Sequence, residues 1–218
     1  MSQKQQEEDV LIRPWEYTQK DIKAFYKMFS NPNVSILLRL GHTDNIGEAA
    51  LNISFLAPKD KGESVDDFAI VRESDGAVVG RIGLIEDLHG YEKKVGKNIG
   101  NSCLAAVYYG VAEEYWGNGY AGKALKKLQK EVFENRKEEL LIAYHVSMNK
   151  NSRRVLEKAG FQYDNSFIAA DGRTLLGHSF SRKYYFEQQR KESQNNSFLK
   201  SLPQNLISKI KDVWNNTF

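Results

Sequence analysis

The sequence predicts an α/β domain, a mixed and mostly antiparallel sheet flanked by helices, with a C-terminal helical extension. Three observations carry that expectation. Short apolar runs bounded by turn residues alternate with stretches of helical period in the order βααβββαβαββ. A Ser74-Asp75-Gly76 turn joins two of the strands as a hairpin. Further on, a strand, an amphipathic helix and another strand follow one another, which requires a crossover.

Val10–Trp15 reads as the first strand, after a polar stretch over 1–9 that is expected to be disordered. Thr18 with Asp21 forms a capping-box-like start, although the box normally ends in Glu or Gln. Ile22, Phe25, Tyr26 and Phe29 recur at helical spacing until Asn31-Pro32 stops the helix. A second helix starts near Thr43–Asn45 and carries Ile46, Ala49, Ala50, Ile53 and Leu56 towards Pro58. Phe68–Arg72 and Ala77–Ile85 form the hairpin, and the glycine-rich segment 86–101 reads as a long loop.

A strand over Cys103–Ala112 leads to a glycine turn and a helix over Ala121–Glu134, with Ala124, Leu125, Leu128 and Val132 on one face. Leu140–Val146 is a strand, Lys150–Lys158 a helix, and Gly160 its stop. Strands near Phe161–Ile168 and Leu175–Phe186 complete a body over 10–187. Residues 188–197 read as a polar linker. Leu199, Leu202, Leu206, Ile210, Val213 and Trp214 then form an apolar stripe, so 198–218 is expected to be an amphipathic helix. It would dock on the body or on a second copy as a homodimer; with Lys200, Lys209 and Lys211 beside Trp214, a membrane surface is the other reading.

Composition removes several function classes. A single cysteine, Cys103, excludes an intramolecular disulfide framework and any cysteine-based zinc cluster. No apolar run reaches the roughly 18 residues of a membrane span, and the polar start shows no signal-like core, so a cytoplasmic location is expected. The net charge of +3 lies entirely beyond residue 187, where five basic residues face two acidic ones; 26 of each remain over 1–187. That balance argues against a nucleic-acid partner.

The chemistry concentrates at Tyr115–Gly122, Y-W-G-N-G-Y-A-G, between an apolar strand and a helix. Glycines there admit a ligand close to the backbone, and the helix adds free amides and its positive dipole end. Neither the Walker nor the Rossmann spacing is present. From the turn alone, a pyrophosphate site and a tight turn without ligand are equally open.

Together with M-N-K-N-S-R-R-V-L-E-K-A-G-F some thirty residues on, the block V-A-E-E-Y-W-G-N-G-Y-A-G-K-A-L resembles the GNAT superfamily of acyl-CoA-dependent N-acetyltransferases. The closest similarity is to the ribosomal-protein-alanine N-acetyltransferase branch, over roughly residues 10–187. The resemblance implies acetyl-CoA as co-substrate, without a metal, held by the amides of Trp116, Gly117, Asn118, Gly119, Tyr120, Ala121 and Gly122. It further implies main-chain contacts from Val111 and Ala112 to the pantetheine arm, and Asn149 beside that arm. Trp116 stands where the family usually has Gln or Arg. Lys150, Arg153, Arg154 and Lys158 are available to phosphate charge, or form a solvated helix face.

Acetyl transfer to an amine needs a neutral amine, a polarised carbonyl and a proton for the thiolate. The resemblance implies Ser152 as the acid; first-turn capping is its other reading. The family's tyrosine would fall at Leu156. A base is harder to place, because the branch's Glu aligns with Ala106. His145, Glu86, His89 and Tyr109 are candidates, with His145 on a strand leading to the site or simply buried. Cys103 has no activating neighbour, so direct attack is expected rather than an acyl-enzyme.

Deprotonating a lysine-like amine of pKa about 10.4 at pH 7 costs about 4.6 kcal/mol, against about 1.4 for an α-amine near 8. Without a carboxylate base, the acceptor expected is a peptide N-terminus, with a small primary amine second. The alternative is a catalytically inactive GNAT-fold module that binds acyl-CoA or a partner.

Overall fold

Periodicity and caps place the first elements of the computed structural model, which describes residues 9–38, 42–60, 66–85, 104–169 and 171–201. Strand β1 spans Val10–Pro14 and helix α1 Gln19–Phe29, whose N-cap Thr18 accepts from the Asp21 amide. Asp21 completes the box differently from a glutamate. It is fully buried, takes two bonds from Arg13 at 2.7 and 2.8 Å, and accepts from the Glu16 amide at 3.0 Å. Helix α2 (Pro32–Leu38) follows at once. The Asn31-Pro32 stop thus ends one helix and opens another, with proline in the first turn, where its missing N–H costs nothing. Helix α3 (Ile46–Leu56) starts from Asn45, which caps the Glu48 amide at 3.0 Å.

The remaining strands are β2 (Asp67–Arg72), β3 (Val78–Ile85), β4 (Leu104–Val111), β5 (Leu140–Val146), β6 (Gln162–Ile168) and β7 (Thr174–Ser181). Helix α4 spans Tyr120–Asn135 and α5 Lys150–Lys158. Sheet order is β1-β2-β3-β4-β5-β7-β6. Pairing is antiparallel from β1 to β4 and between β6 and β7, and parallel between β4 and β5. The mixed, mostly antiparallel α/β architecture expected from the element order is therefore the observed one.

Two faces of this sheet are covered. Trp15, Ile22, Phe25, Met28, Phe29 and Ile53 form one core with Ala69 and Val71 of β2. On β4, Tyr108 turns towards α1 and Tyr109 towards α5, so these helices lie on opposite faces. Helix α4 buries Leu125, Leu128, Val132 and Phe133, and Gln129 reaches the Ala159 carbonyl at the end of α5 at 2.9 Å. Gly160, at φ 88°, ends α5 with the Phe161 amide closing back on Leu156 at 3.0 Å.

The chain's last part differs from expectation. The body runs to Phe180, and a second unit begins at Ser181. Within it, helix α6 covers Arg182–Ser201, where a strand to 186 and a linker over 188–197 were expected. Polarity was the misleading signal. The segment has no glycine or proline and is rich in Lys, Glu, Gln and Arg, which lose little freedom in a helix. Residues 1–8 of the stretch 1–9 expected to be disordered, the loop with Glu86 and His89, Cys103 and most of the tail stripe lie outside the described residues.

Candidate functional site

Strands β4 and β5 part company partway along. Their pairing runs from Leu104↔Leu140 to Val107↔Ala143, yet β4 continues to Val111 and β5 to Val146. On its other side β4 stays paired with β3 as far as Gly80↔Val111, and the Ala112 amide bonds the Val79 carbonyl at 2.9 Å. Main-chain groups alternate sides along a strand, so those of Tyr109 and Val111 face the gap. The Val111 carbonyl accepts from the Trp116 indole at 2.7 Å. Ala112 differs from its neighbour: its carbonyl accepts from the Tyr115 amide at 2.9 Å, so both its main-chain groups are used within the fold. Of the two residues expected to meet a pantetheine arm, Val111 is the one presented to the gap.

Beyond β4 a short 3-10 turn, Glu113–Tyr115, is tied to the α1–α2 corner. Glu113 accepts from Asn31 at 2.6 Å and Asn33 at 3.0 Å, and Lys27 pairs with Glu114 at 2.6 Å. Burial raises the Glu114 carboxyl, but its bond to Lys27 prevails and holds it below the ordinary range. The glycine turn thus starts from a braced base. Asn118 steadies it by donating to the carbonyls of Tyr115 at 3.0 Å and Trp116 at 3.3 Å.

Gly117 and Gly119 have φ of 83° and 76°, the left-handed region that favours glycine. Gly119 is the N-cap of α4 and supplies no side-chain acceptor. The amides of Tyr120, Ala121 and Gly122 sit in the first turn, ahead of the Lys123-to-Gly119 bond at 3.1 Å that opens the ladder. A Cβ built at Gly117, Gly119 or Gly122 would meet only open space within 4 Å. Uncapped amides, a dipole end and room beside them suit an anionic group.

At the start of α5, Asn149 is the N-cap, its side-chain oxygen accepting from the Ser152 amide at 3.0 Å. Capping therefore falls to Asn149, and the Ser152 hydroxyl is used elsewhere, 2.9 Å from the Tyr109 hydroxyl. Burial pushes the Tyr109 phenol up, with the Ser152 bond opposing only weakly, so it stays protonated and does not serve as a base. Arg153 is exposed and bonded to Glu157 at 2.7 Å; Lys150, Arg154 and Lys158 are exposed too.

His145 does not carry forward as the base. It is buried, with Nδ1 2.9 Å from the Val146 carbonyl and Nε2 3.1 Å from His178 Nε2. Both ring nitrogens are engaged, leaving none to collect a proton from an amine. Ala106 packs against Ile142. Asp67, which Tyr108 on the same face of β4 meets, is spoken for by Arg81, Tyr108 and Trp15. The Tyr109–Ser152 contact had no spacing signal in the sequence, since it joins residues 43 positions apart that only the fold brings together; the Trp116–Val111 bond is local, but nothing in the sequence marks the indole as its donor. Among the described residues no cluster of His, Cys, Asp or Glu could hold a metal ion, and no helix is long and apolar enough to cross a membrane.

Comparison with known proteins agrees with this geometry. The profile of the Acetyltransferase (GNAT) domain family matches residues 9–162. No curated protein matches by sequence. Among solved structures, a GNAT-family acetyltransferase from Bacillus anthracis superposes with a TM-score of 0.65 at 20% identity, covering 82% of this chain and 98% of the other. The spermidine N-acetyltransferase from Vibrio cholerae, in complex with CoA and spermine, gives 0.61 at 14% identity, over 82% and 98%. The aminoglycoside acetyltransferase AAC(6')-Ib with coenzyme A gives 0.60 at 15% identity, over 84% and 99%. At such identities these likenesses concern the fold.

Proposed function

The chain belongs to the GNAT acetyltransferase family, with acetyl-CoA as its co-substrate, and from that premise we propose that it acetylates a primary amine, an α-amine at a peptide N-terminus first and a small amine second. The observation that carries this reading is the parting of β4 from β5 beside an uncapped glycine turn. The amides of Gly117–Gly122 would hold the pyrophosphate. The open edge of β4 at Val111 would meet the pantetheine amides as another strand would.

An N–H on that edge would polarise the acetyl carbonyl while the neutral amine attacks it directly. As the N–C bond forms and the C–S bond breaks, the electron pair passes to sulfur. Ser152 would supply the sulfur's proton and recover it from water, and the amine's surplus proton leaves to water. No net change remains on the protein. The preference for an α-amine rests on the surroundings of Ala106. With no free carboxylate on that stretch of β4, the acceptor must arrive largely neutral, which an amine of pKa near 8 does at about 3 kcal/mol less cost than a lysine side chain. The same α-amine preference, with the Y-W-G-N-G-Y and N-K-N-S segments, supports the ribosomal-protein-alanine branch.

Thiol release from acetyl-CoA across a panel of peptides, spermidine, lysine and aminoglycosides tests the reading. Free N-terminal peptides should turn over fastest. A ranking led by spermidine would refute the α-amine preference, and coenzyme binding without turnover on any amine would turn the chain into a binding module.

A further inference from the structure

Ser152 and Tyr109 lie 43 positions apart, on α5 and β4, and meet where β4 and β5 have parted. Tyr109 lies on β4 two residues beyond Val107, where pairing with β5 ends, and its ring turns towards α5. Its hydroxyl has two neighbours on one residue, the Ser152 Oγ at 2.9 Å and the Ser152 carbonyl at 3.2 Å. Each hydroxyl has one proton to donate and lone pairs to accept, so the pair has two arrangements. In one, Tyr109 donates to the Ser152 carbonyl and accepts the serine proton, which is then held inside the protein. In the other, Tyr109 donates to Oγ, and the serine proton is released towards the gap. Two hydroxyl rotations separate them, with no movement of the backbone, since the Ser152 amide is fixed by Asn149 at 3.0 Å.

We infer that Tyr109 is a positioning residue: by donating to the Ser152 Oγ it turns the serine proton outward, to the sulfur leaving from the coenzyme. This rests on the reading of Ser152 as the proton donor. Tyr109 transfers no proton itself. Its part-buried phenol is held above the ordinary tyrosine value by desolvation and keeps its O–H, so the donor is present.

The test is a double-mutant cycle of Tyr109→Phe and Ser152→Ala, in the full chain, with the best amine from the panel. Tyr109→Phe should lower kcat about 5- to 20-fold, the scale of one hydrogen bond at about 1 kcal/mol or somewhat more. The KM for acetyl-CoA and the affinity for coenzyme A should stay within about twofold, a split that a distorted site would not preserve. In the Ser152→Ala background the same change should have almost no effect. Wild-type turnover in Ser152→Ala would remove the serine from the mechanism and this inference with it. A slow Ser152→Ala beside an unimpaired Tyr109→Phe, or full additivity of the two, would overturn the role of Tyr109 alone. If Tyr109→Phe loses coenzyme A binding as well as kcat, Tyr109 is a packing residue and the inference fails.

Discussion

The indole Nε1 of Trp116 donates to the Val111 carbonyl at 2.7 Å, joining the first residue of the glycine-turn motif to the last residue of the strand that precedes it. The bond lies on the gap side of β4, where a pantetheine amide would look for the same oxygen. Trp116 is 42% exposed, so its ring can yield part of that oxygen's surroundings to a ligand. Trp116→Phe removes the donor and keeps the aromatic bulk. With the competing donor gone the Val111 oxygen is open to the pantetheine amide, so the variant should lower the KM for acetyl-CoA about 3- to 10-fold, in line with one hydrogen bond, and leave kcat nearly unchanged. Initial rates against acetyl-CoA concentration check it; an unchanged KM would show that the indole plays no part in shaping the edge.

Gly119→Ala should separate ligand space from backbone strain. The left-handed φ of 76° costs a non-glycine residue about 1–2 kcal/mol. That is a fall in melting temperature of about 2–8 °C for a chain of this size. The added methyl also enters the open space beside the α4 amides. Coenzyme A affinity should therefore drop about tenfold or more, well beyond what the stability loss explains. Calorimetric binding beside a melting curve measures both.

Asp67 is the hub of a buried network. It accepts from Arg81 Nε at 2.9 and 2.8 Å, from the Trp15 indole at 2.7 Å and from the Tyr108 hydroxyl. The Arg81 guanidinium lies 5.6, 5.5 and 5.2 Å from the ring centroids of Phe25, Phe29 and Tyr108. Asp67→Ala would leave that guanidinium charged and unpaired among aromatic rings, a loss of about 3–5 kcal/mol. Denaturant unfolding should show a large shift in midpoint; a change below about 1 kcal/mol would mean the network is dispensable.

The His145–His178 pair predicts how stability varies with pH. Burial, and then the neighbouring His145, hold the His178 imidazole below its ordinary value, while Glu157 and Asp164 pull weakly the other way. Its Nδ1 is buried without a partner. Because the folded value is the lower one, the unfolded chain takes up the proton first as pH falls. Stability is therefore full above about pH 6.5 and declines below it, by at most about 1.4 kcal/mol per pH unit from this group. Melting curves from pH 7.5 to 5.5 should show that decline, and His178→Gln should flatten it. An equally steep decline in the variant would assign the effect to other groups.

Much of the molecule was legible from local chemistry. Helix α5 begins and ends at Lys150 and Lys158, the bounds read from the sequence with Gly160 as the stop, because left-handed termination is decided within a few residues. The hairpin at Ser74–Gly76 and the glycines before α4 are of the same kind. Composition misled where the cue was polarity alone. The segment after Phe180 is polar and yet helical, because polarity says nothing of backbone preference when glycine and proline are absent.

The sequence by itself determined the element order, the α/β class and the place of the glycine turn before α4, since each depends on periodicity, caps and backbone freedom within a few residues. Only the tertiary structure decided which groups meet. Asn149 rather than Ser152 caps α5, and the freed Ser152 hydroxyl finds Tyr109. His145 is bonded at both nitrogens because His178, 33 positions later, lies on β7, beside β5 in the sheet. The gap opens because β4 stays with β3 after leaving β5. Those relationships depend on strand register and on packing across the sheet, and a register leaves no mark in any one stretch of sequence.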